Sequence, residues 1–267
     1  MSILIERAGN ADQPELHQLW ERVFGDKPET VQTFFDRFPP EAAGWVLREN
    51  DQIRTMAWLL PGSWLLTEDA MQAVGYVYAV ATAPEARGRG YAADLMQAIM
   101  EFADQRSLLL YTRPAEESLF PWYANRMEAG SVGYMKEIAF TKSDAPDLQV
   151  SPVEALEYQA LREAQLGAAP HLLLSEALLR VQKQYLKDAG GDLFRIGDGC
   201  CACELRDGQL YVPELFADDE NAAMQALMGH FQVETATLRK PAKSAGTPVI
   251  CWRGAASKHT NWGLFLE

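Results

Sequence analysis

The chain contains little cysteine, and all of it lies in the last quarter of the 267 residues. The four residues are Cys200, Cys201, Cys203 and Cys251. Clustered cysteines can form a disulfide framework or a metal site, but structural zinc sites favour paired Cys-x-x-Cys spacing with further ligands. The first three cysteines instead alternate along an apolar stretch that is typical of a buried strand. We therefore expect buried thiols and no metal site.

Basic side chains are also scarce, with 24 Lys and Arg against 37 Asp and Glu and a formal net charge of −13. A chain of this charge repels a phosphate backbone or an anionic membrane surface on average, so neither nucleic acid nor membrane is an expected partner. No run approaches the roughly 18 apolar residues that a membrane span needs, and the first residues lack a basic segment followed by a long apolar stretch. We expect a cytoplasmic protein.

The composition is that of an ordinary globular protein, with 48% apolar and 23% charged residues. The length exceeds the commonest single-domain size. A polar, proline-bearing stretch follows Phe140 and is typical of a linker. The sequence therefore predicts two domains, residues 1–144 and residues 145–267.

The first half shows clear secondary-structure patterns. Apolar spacing and turn residues predict, in order, a strand at 2–8, a helix capped by residues 10–12, a helix after Pro28, and a hairpin of strands 43–49 and 53–60. Residues 72–82 alternate, with one bulky face and one small face, and so predict a further strand. A helix from Tyr91 to about residue 106 and a strand at 108–111 complete a strand-helix-strand unit, which implies parallel neighbours in the sheet.

The second half predicts a mixture of helices and strands. Helices are expected near 152–166, 174–188 and 218–230, and strands near 192–196, 200–205, 209–216, 233–239, 248–253 and 261–267. Residues 209–238 repeat the strand-helix-strand order of the first half without its glycines. The fold class is therefore α/β (α+β).

The loop between the strand at 72–82 and the helix at Tyr91 carries two arginines and two glycines: Arg87, Gly88, Arg89 and Gly90. The N–H groups at a helix start have no intrahelical partner, and the helix dipole adds partial positive charge there. Glycine has no side chain to hold an anion away from the backbone, so this arrangement favours a pyrophosphate.

These residues resemble the GNAT acyltransferase superfamily, whose acetyl-CoA signature is Arg or Gln, two residues, Gly, one residue, then Gly or Ala. Arg87, Gly90 and Ala92 match it. The resemblance spans roughly residues 3–141 and implies a mixed, twisted sheet flanked by helices, followed by a smaller α+β domain. It also implies acetyl-CoA as co-substrate, with pantetheine contacts from Val80, Ala81 and Thr82. The pyrophosphate contacts that it implies come from Gly88, Arg89, Gly90, Tyr91, Ala92 and Ala93, beside Arg87.

Two other interpretations of the loop remain. Gly88 to Ala93 also satisfies the Gly-x-Gly-x-x-Gly/Ala pattern of a dinucleotide fold, but in that fold an acidic residue ends the next strand, where this chain has Thr112-Arg113-Pro114. The loop is otherwise a helix start with convenient glycines and solvated arginines.

Downstream, the segment from Pro114 to Tyr123 leads to Gly130, Gly133 and Tyr134. It resembles the GNAT helix that carries a tyrosine before a Gly-aromatic pair, although the spacing here is longer. Tyr123 is the best match for the catalytic residue, and Tyr134 is the alternative; a buried structural tyrosine is the competing interpretation. Its phenol, with a pKa near 10, would donate a hydrogen bond to the departing CoA thiolate as a general acid.

The general base is open, because none of the four histidines (His17, His171, His230 and His259) lies near this segment. Glu116, Glu117, a water molecule and Glu267 are the candidates, and solvated surface glutamates are the competing interpretation. A backbone N–H near Val80 or Ala81 would polarise the thioester carbonyl.

The function that these residues favour is transfer of an acetyl group from acetyl-CoA to a small-molecule or peptide amine by direct attack. A non-catalytic acyl-CoA sensor is the alternative from another class, and a nicotinamide-dependent oxidoreductase is the third. The acceptor, the acyl chain length and the oligomeric state stay open at this stage.

Overall fold

The computed structural model describes residues 2–66, 71–128, 131–143, 147–242 and 246–253. Their contacts divide them into two compact units: of the described residues, the first unit holds 2–64, 72–128, 131–132 and 249–253, and the second holds the rest, including the ends of strands at 65–66 and 71. The domain boundary after residue 144 stays a prediction. Gly130, His259, Glu267 and the strand predicted for 261–267 lie outside the described residues.

The first unit contains a mixed sheet with helices. Its elements in chain order are β1 (Ile3–Arg7), α1 (Gln13–Phe24), α2 (Pro28–Arg37), α3 (Pro40–Ala43), β2 (Gly44–Glu49), β3 (Gln52–Leu66), β4 (Met71–Thr82), α4 (Tyr91–Asp104), β5 (Leu109–Thr112) and α5 (Phe120–Arg126). The strand order is β1-β2-β3-β4-β5, and β13 (Thr247–Arg253) pairs antiparallel with β5. The β4 and β5 strands are parallel, as the strand-helix-strand pattern predicted.

Aromatic side chains hold the first two helices in place. Trp20 of α1 lies 4.8 Å from Phe34 of α2 between ring centroids, and Phe34 lies 4.9 Å from Trp58 of β3. All three side chains are buried. Burial of rings of this size contributes most of the energy that keeps a helix on a sheet.

A tight turn joins β2 to β3. It lies where the sequence predicted the turn of a hairpin, between strands 43–49 and 53–60. Asn50 and Asp51 both have positive φ, 49° and 66°, which is the geometry of the two-residue hairpin turns that match strand twist. Glu49 therefore ends β2 directly opposite Gln52. This places a carboxylate at the tip of the hairpin.

The second unit contains β6 (Ser131–Thr141), β7 (Val150–Pro152), α6 (Ala155–Leu166), β8 (His171–Leu173), α7 (Glu176–Asp188), β9 (Asp192–Ile196), β10 (Gly199–Arg206), β11 (Gln209–Phe216), α8 (Glu220–Phe231) and β12 (Thr235–Ala242). Its strand order is β6-β12-β11-β10-β9-β7. The β11 and β12 strands are parallel and joined by α8, so the strand-helix-strand repeat predicted from the sequence is present. The mixed α/β fold class is confirmed.

The cysteines are buried thiols without disulfides. Cys201 and Cys203 of β10 lie in an apolar cluster with residues of α8, as their alternation along a buried strand predicted. Burial raises the pKa of the Cys251 thiol to about 12. Across the described part of the chain, no group of three or more His, Cys, Asp or Glu side chains is arranged to hold a metal ion.

A charged cluster lies inside the second unit. The Nε atom of Arg162 donates to both carboxylate oxygens of Glu214 at 3.1 and 3.0 Å, and the Tyr158 hydroxyl donates to the same carboxylate at 2.7 Å. Burial and the Glu214 charge raise the pKa of Tyr158. Such a cluster is stable only while its charges stay paired.

The described helices include none that is long and apolar enough to cross a membrane.

Candidate active site

The β4 strand extends past its parallel partner. Pairing between β4 and β5 covers Val74 to Val77, with Val77 opposite Thr112, whereas β4 continues to Thr82. One edge of β4 beyond Val77 therefore has no partner in the β5 ladder. An extended ligand with amide groups can pair with a backbone edge of this kind.

Ala79, within β4, has a φ of +48°. Non-glycine residues rarely adopt positive φ, and they do so mostly where the surrounding structure forces it, often at functional sites. The strand predicted at residues 72–82 is confirmed, because β4 runs without a break from Met71 to Thr82, and Ala79 is a local irregularity within it.

A buried threonine stabilises the point where the pairing ends. The Thr112 hydroxyl donates a 2.8 Å hydrogen bond to the carbonyl oxygen of Val77. Both residues are buried, so this bond satisfies a carbonyl that water does not reach.

The predicted anion-binding loop begins with a short 3₁₀ turn at Pro84–Ala86 and ends at the start of α4. Gly88 and Gly90 have φ values of +76° and +86°, which favour glycine. A Cβ atom added at either position would meet no atom within 4 Å, so the space above both glycines is open. Ala93 and Asp94 both donate to the Gly90 carbonyl, and the earlier N–H groups of this first turn have no intrahelical acceptor.

The two arginines of the loop have different surroundings. The Arg87 Nε donates to the Thr82 carbonyl at 3.4 Å, and its outer nitrogens have no partner within the described ranges. This side chain lies beside the end of β4 and is able to contact an anion. Arg89 instead forms two parallel hydrogen bonds to the Glu49 carboxylate, one of them 2.8 Å from Nη1 to Oε2.

Tyr91 bonds the same carboxylate. Its hydroxyl donates to Glu49 Oε1 at 2.8 Å, and the Arg89 guanidinium lies 4.7 Å from the centroid of its ring. Only the backbone of Tyr91 is thus left for a cofactor, because its side chain is buried. The hydrogen bonds from Arg89 and Tyr91 lower the pKa of Glu49.

Tyr123 lies in α5 of the same unit, with 8% of its surface exposed. Trp122 contacts its ring edge-on at a centroid distance of 4.8 Å. Burial, with a smaller effect from the Cys251 thiol, raises the pKa of Tyr123 far above its ordinary value. Because its pKa is raised, this phenol is protonated at neutral pH, and among the residues that the structure describes none forms a hydrogen bond with its hydroxyl.

The remaining residues predicted to contact the cofactor lie where β4 ends and α4 begins. Ala81 is buried, whereas Val80, Thr82, Ala92 and Ala93 are half-buried around the end of β4 and the start of α4.

Of the candidate bases, Glu116 and Glu117 are exposed on the segment before α5, and the Ser118 hydroxyl donates to Glu116 at 3.1 Å. Tyr134 lies on β6 of the second unit, opposite Ala242 of β12.

The repeat in the second unit lacks the features of this loop. Asp219 caps the N-terminus of its helix α8, and the Asp219 side chain accepts from the Ala222 N–H at 2.9 Å. Asp218 and Glu220 flank that residue. Three acidic side chains repel an anion at a helix start, so this part of the described repeat does not favour pyrophosphate binding.

Sequence reasoning missed three contributors to the site: Glu49, Ala79 and Thr112. Glu49 carried one available signal, since an acidic residue ends a mostly apolar strand just before a turn. Ala79 carried none, because alanine does not mark a positive φ as glycine does. The role of Thr112 depends on its distance from Val77, which only the fold reveals.

Comparison with protein families and solved structures agrees with this geometry. Residues 5–123 match the family model described as the acetyltransferase (GNAT) domain. No curated protein matches the chain in sequence.

Several solved structures share the fold. A GCN5-related N-acetyltransferase from Kribbella flavida has a TM-score of 0.71 at 16% identity, over 94% of this chain and 71% of that one. A conserved protein of unknown function from Enterococcus faecalis, described as a probable N-acyltransferase, has a TM-score of 0.71 at 12% identity, over 94% and 72%. A GCN5-related N-acetyltransferase from Anabaena variabilis has a TM-score of 0.69 at 16% identity, over 94% and 72%.

Proposed function

We propose, from the match of residues 5–123 to the acetyltransferase (GNAT) domain, that the protein transfers an acetyl group from acetyl-CoA to an amine. The observation that carries the proposal is the loop from Arg87 to the start of α4. Its glycines have positive φ and open space, and it lies at the end of a strand whose edge has no partner in β5. A ligand with a pyrophosphate and an amide-bearing arm fits both features.

In the proposed binding mode, the pyrophosphate contacts the backbone from Gly88 to Ala93 and the Arg87 guanidinium. Charge-assisted hydrogen bonds of this kind contribute about 1.5 to 3 kcal/mol each, against about 0.3 to 1 kcal/mol for the helix dipole. The pantetheine arm pairs with β4 at Val80, Ala81 and Thr82. A backbone N–H near Val80 or Ala81 polarises the thioester carbonyl.

Tyr123 is the proposed general acid. The amine attacks the thioester carbonyl, the C–S bond breaks, and the Tyr123 hydroxyl donates a hydrogen bond to the departing sulfur. Its raised pKa supports this role, because a general acid must be protonated before the step. The base that accepts the ammonium proton is a water molecule, Glu116, Glu117 or Glu267.

The acceptor is a small-molecule or peptide amine, and the net charge of −13 favours a cationic one. We further propose that residues 1–144 form the catalytic domain, that residues 145–267 form an accessory domain, that the protein acts in the cytoplasm, and that it needs no metal.

Two measurements test the function. Acetyl-CoA should raise the melting temperature of the protein and NAD(H) should not, because a ligand that binds only the folded state stabilises it. Release of CoA should then be measured with acetyl-CoA across amines, polyamines, aminoglycosides and peptides with free amino termini.

Turnover with one class of amine supports the transferase. Stabilisation by acetyl-CoA without turnover with any amine supports a non-catalytic acyl-CoA sensor instead. Stabilisation by NAD(H) alone would contradict both and would favour an oxidoreductase.

A further inference from the structure

We propose that Glu49 is a positioning residue for the cofactor loop: it holds Arg89 and Tyr91 so that the loop is shaped for a pyrophosphate before the ligand binds. The inference rests on the proposed function and deepens it. In this proposal the Arg89 guanidinium binds Glu49 of the β2–β3 hairpin and does not contact the cofactor.

The first argument is the geometry of the Glu49 carboxylate. It accepts two bonds from Arg89 and one of 2.8 Å from Tyr91, while only 7% of its side chain is exposed. Bidentate pairing of this kind fixes the orientation of a guanidinium as well as its distance. Arg89 and Tyr91 lie on either side of Gly90, so the carboxylate fixes the backbone on both sides of that glycine.

The second argument is that a chain of alternating charges also reaches the start of the loop. The Arg54 Nε lies 3.5 Å from Glu49 Oε2, and Arg54 Nη1 lies 3.6 Å from Glu85 Oε1. Arg22 of α1 forms an ion pair with Glu85 at 2.7 Å. Glu85 belongs to the short turn that opens the loop, so the β2–β3 hairpin contacts the loop at both of its ends.

The third argument is the conformational cost of the loop. Gly88 and Gly90 both have positive φ, and glycine gains the most freedom when a segment is released. A loop with two such residues loses order easily unless other contacts hold it. A preorganised loop binds its ligand more tightly because less ordering remains to be done on binding.

Binding of CoA, measured by calorimetry, tests the proposal with single and double variants. We expect E49Q and R89Q each to weaken CoA binding by about 10-fold. Because both single variants break the same Glu49–Arg89 contact, the Kd of the double variant E49Q/R89Q for CoA should lie within about 2-fold of the Kd of R89Q. R87Q removes a different contact, so its effect and that of E49Q should multiply.

The matched control is E6Q. Glu6 also forms an ion pair with an arginine of β2, since Arg48 Nε lies 2.8 Å from Glu6 Oε1, but within the described residues neither forms a hydrogen bond or ion pair with the side chains of the loop. E6Q should bind CoA as the wild type does. A general loss of stability would affect E6Q and E49Q together.

R89K is the second variant, for the case in which E49Q does not fold. Lysine keeps the charge that a pyrophosphate needs but does not form the two parallel bonds to Glu49. We expect R89K to bind CoA as weakly as R89Q. Near-normal binding by R89K would make Arg89 a direct ligand and would overturn the proposal.

Turnover supplies a readout that a purely structural role would not give. E49Q should raise the KM for acetyl-CoA by about 10-fold and leave kcat unchanged. With S-acetylpantetheine, which has no pyrophosphate, kcat/KM should be the same in E49Q and the wild type.

The outcomes separate this proposal from the proposed function. A wild type that does not bind CoA rejects both. If the wild type binds CoA and E49Q binds it equally well or more tightly, the positioning role alone is rejected. It is also rejected if the losses of CoA affinity in E49Q and R89Q multiply in the double variant.

Discussion

The hydroxyl of Thr112 donates to the carbonyl of Val77 across the last residue pair that joins β4 to β5. Two residues later, beyond the end of this pairing, Ala79 has a positive φ of 48°. The hydrogen bond thus supports the strand just before the segment that we propose for pantetheine binding.

Replacing Thr112 with valine keeps the shape of the side chain and removes the donor. We expect Thr112→Val to lower the free energy of unfolding by about 1 to 3 kcal/mol, because the buried Val77 carbonyl loses the hydrogen bond from the Thr112 hydroxyl. Urea denaturation measures this loss. Thr33→Val is the control, since the Thr33 hydroxyl bonds the Glu29 carbonyl at an exposed helix position, and it should change stability by less than about 0.5 kcal/mol. If Thr112→Val and Thr33→Val lose the same free energy of unfolding, the buried hydrogen bond of Thr112 does not stabilise the end of the β4–β5 pairing.

The backbone at Gly90 has a positive φ that favours glycine, and the proposed binding mode also needs the open space above this residue. Gly90→Ala should lower the free energy of unfolding by about 1 to 2 kcal/mol, because alanine is strained at a φ of +86°. It should also weaken CoA binding by at least about 10-fold, since the new methyl group occupies the open space above the loop.

Gly25 provides a matched control for Gly90. It has a φ of +74° and equally open surroundings, but it ends α1. Gly25→Ala should lose similar stability and bind CoA normally. If both variants lose CoA binding, or neither does, the loop is not the cofactor site.

The buried charge cluster of the second unit predicts a large effect on stability. Glu214→Ala leaves the buried Arg162 charge with only the more exposed Glu163 carboxylate, 3.3 Å from Nη1, and leaves the Tyr158 hydroxyl without its acceptor, so the free energy of unfolding should fall by about 3 to 5 kcal/mol. In the control, Glu157→Ala breaks the 2.9 Å ion pair with Arg195, where the side chains are 47% and 41% exposed, and it should cost less than about 1 kcal/mol. Chemical denaturation that finds the two variants equally stable would refute the assignment of Arg162 as a buried, charge-paired side chain.

The surroundings of Tyr123 predict the pH dependence of turnover. A general acid acts while it is protonated, and burial raises the pKa of Tyr123 above its ordinary value. As pH rises to about 10, the ordinary tyrosine pKa, kcat should therefore show no decline that belongs to this residue. A decline below about pH 10 that disappears in Tyr123→Phe would show that the pKa is not raised.

Much of the first unit follows from local sequence signals. The β4 strand, the glycine loop and α4 were predicted within a few residues, because alternation, glycine and helical spacing are each read over short windows. The parallel pairing of β4 and β5 followed from the strand-helix-strand order.

The contacts that shape the site are long-range, and no local pattern contains them. Glu49 and Arg89 are 40 positions apart in the chain. Strand β13 was predicted near residues 248–253, but its return to β5, with Cys251 opposite Thr112, depends on the whole topology. The Glu49–Arg89 pair and the pairing of β13 with β5 therefore could not be predicted from the sequence.

The most direct test of the account compares Tyr123→Phe with the wild type, using acetyl-CoA and an amine that the wild type acetylates. General acid catalysis is typically worth about 10² to 10⁴-fold, so we expect kcat to fall by at least about 10² while the Kd for acetyl-CoA stays unchanged. An unchanged kcat would remove Tyr123 from the mechanism and direct attention to Tyr134. A parallel loss of kcat, acetyl-CoA binding and thermal stability would instead identify Tyr123 as a structural residue and contradict the account.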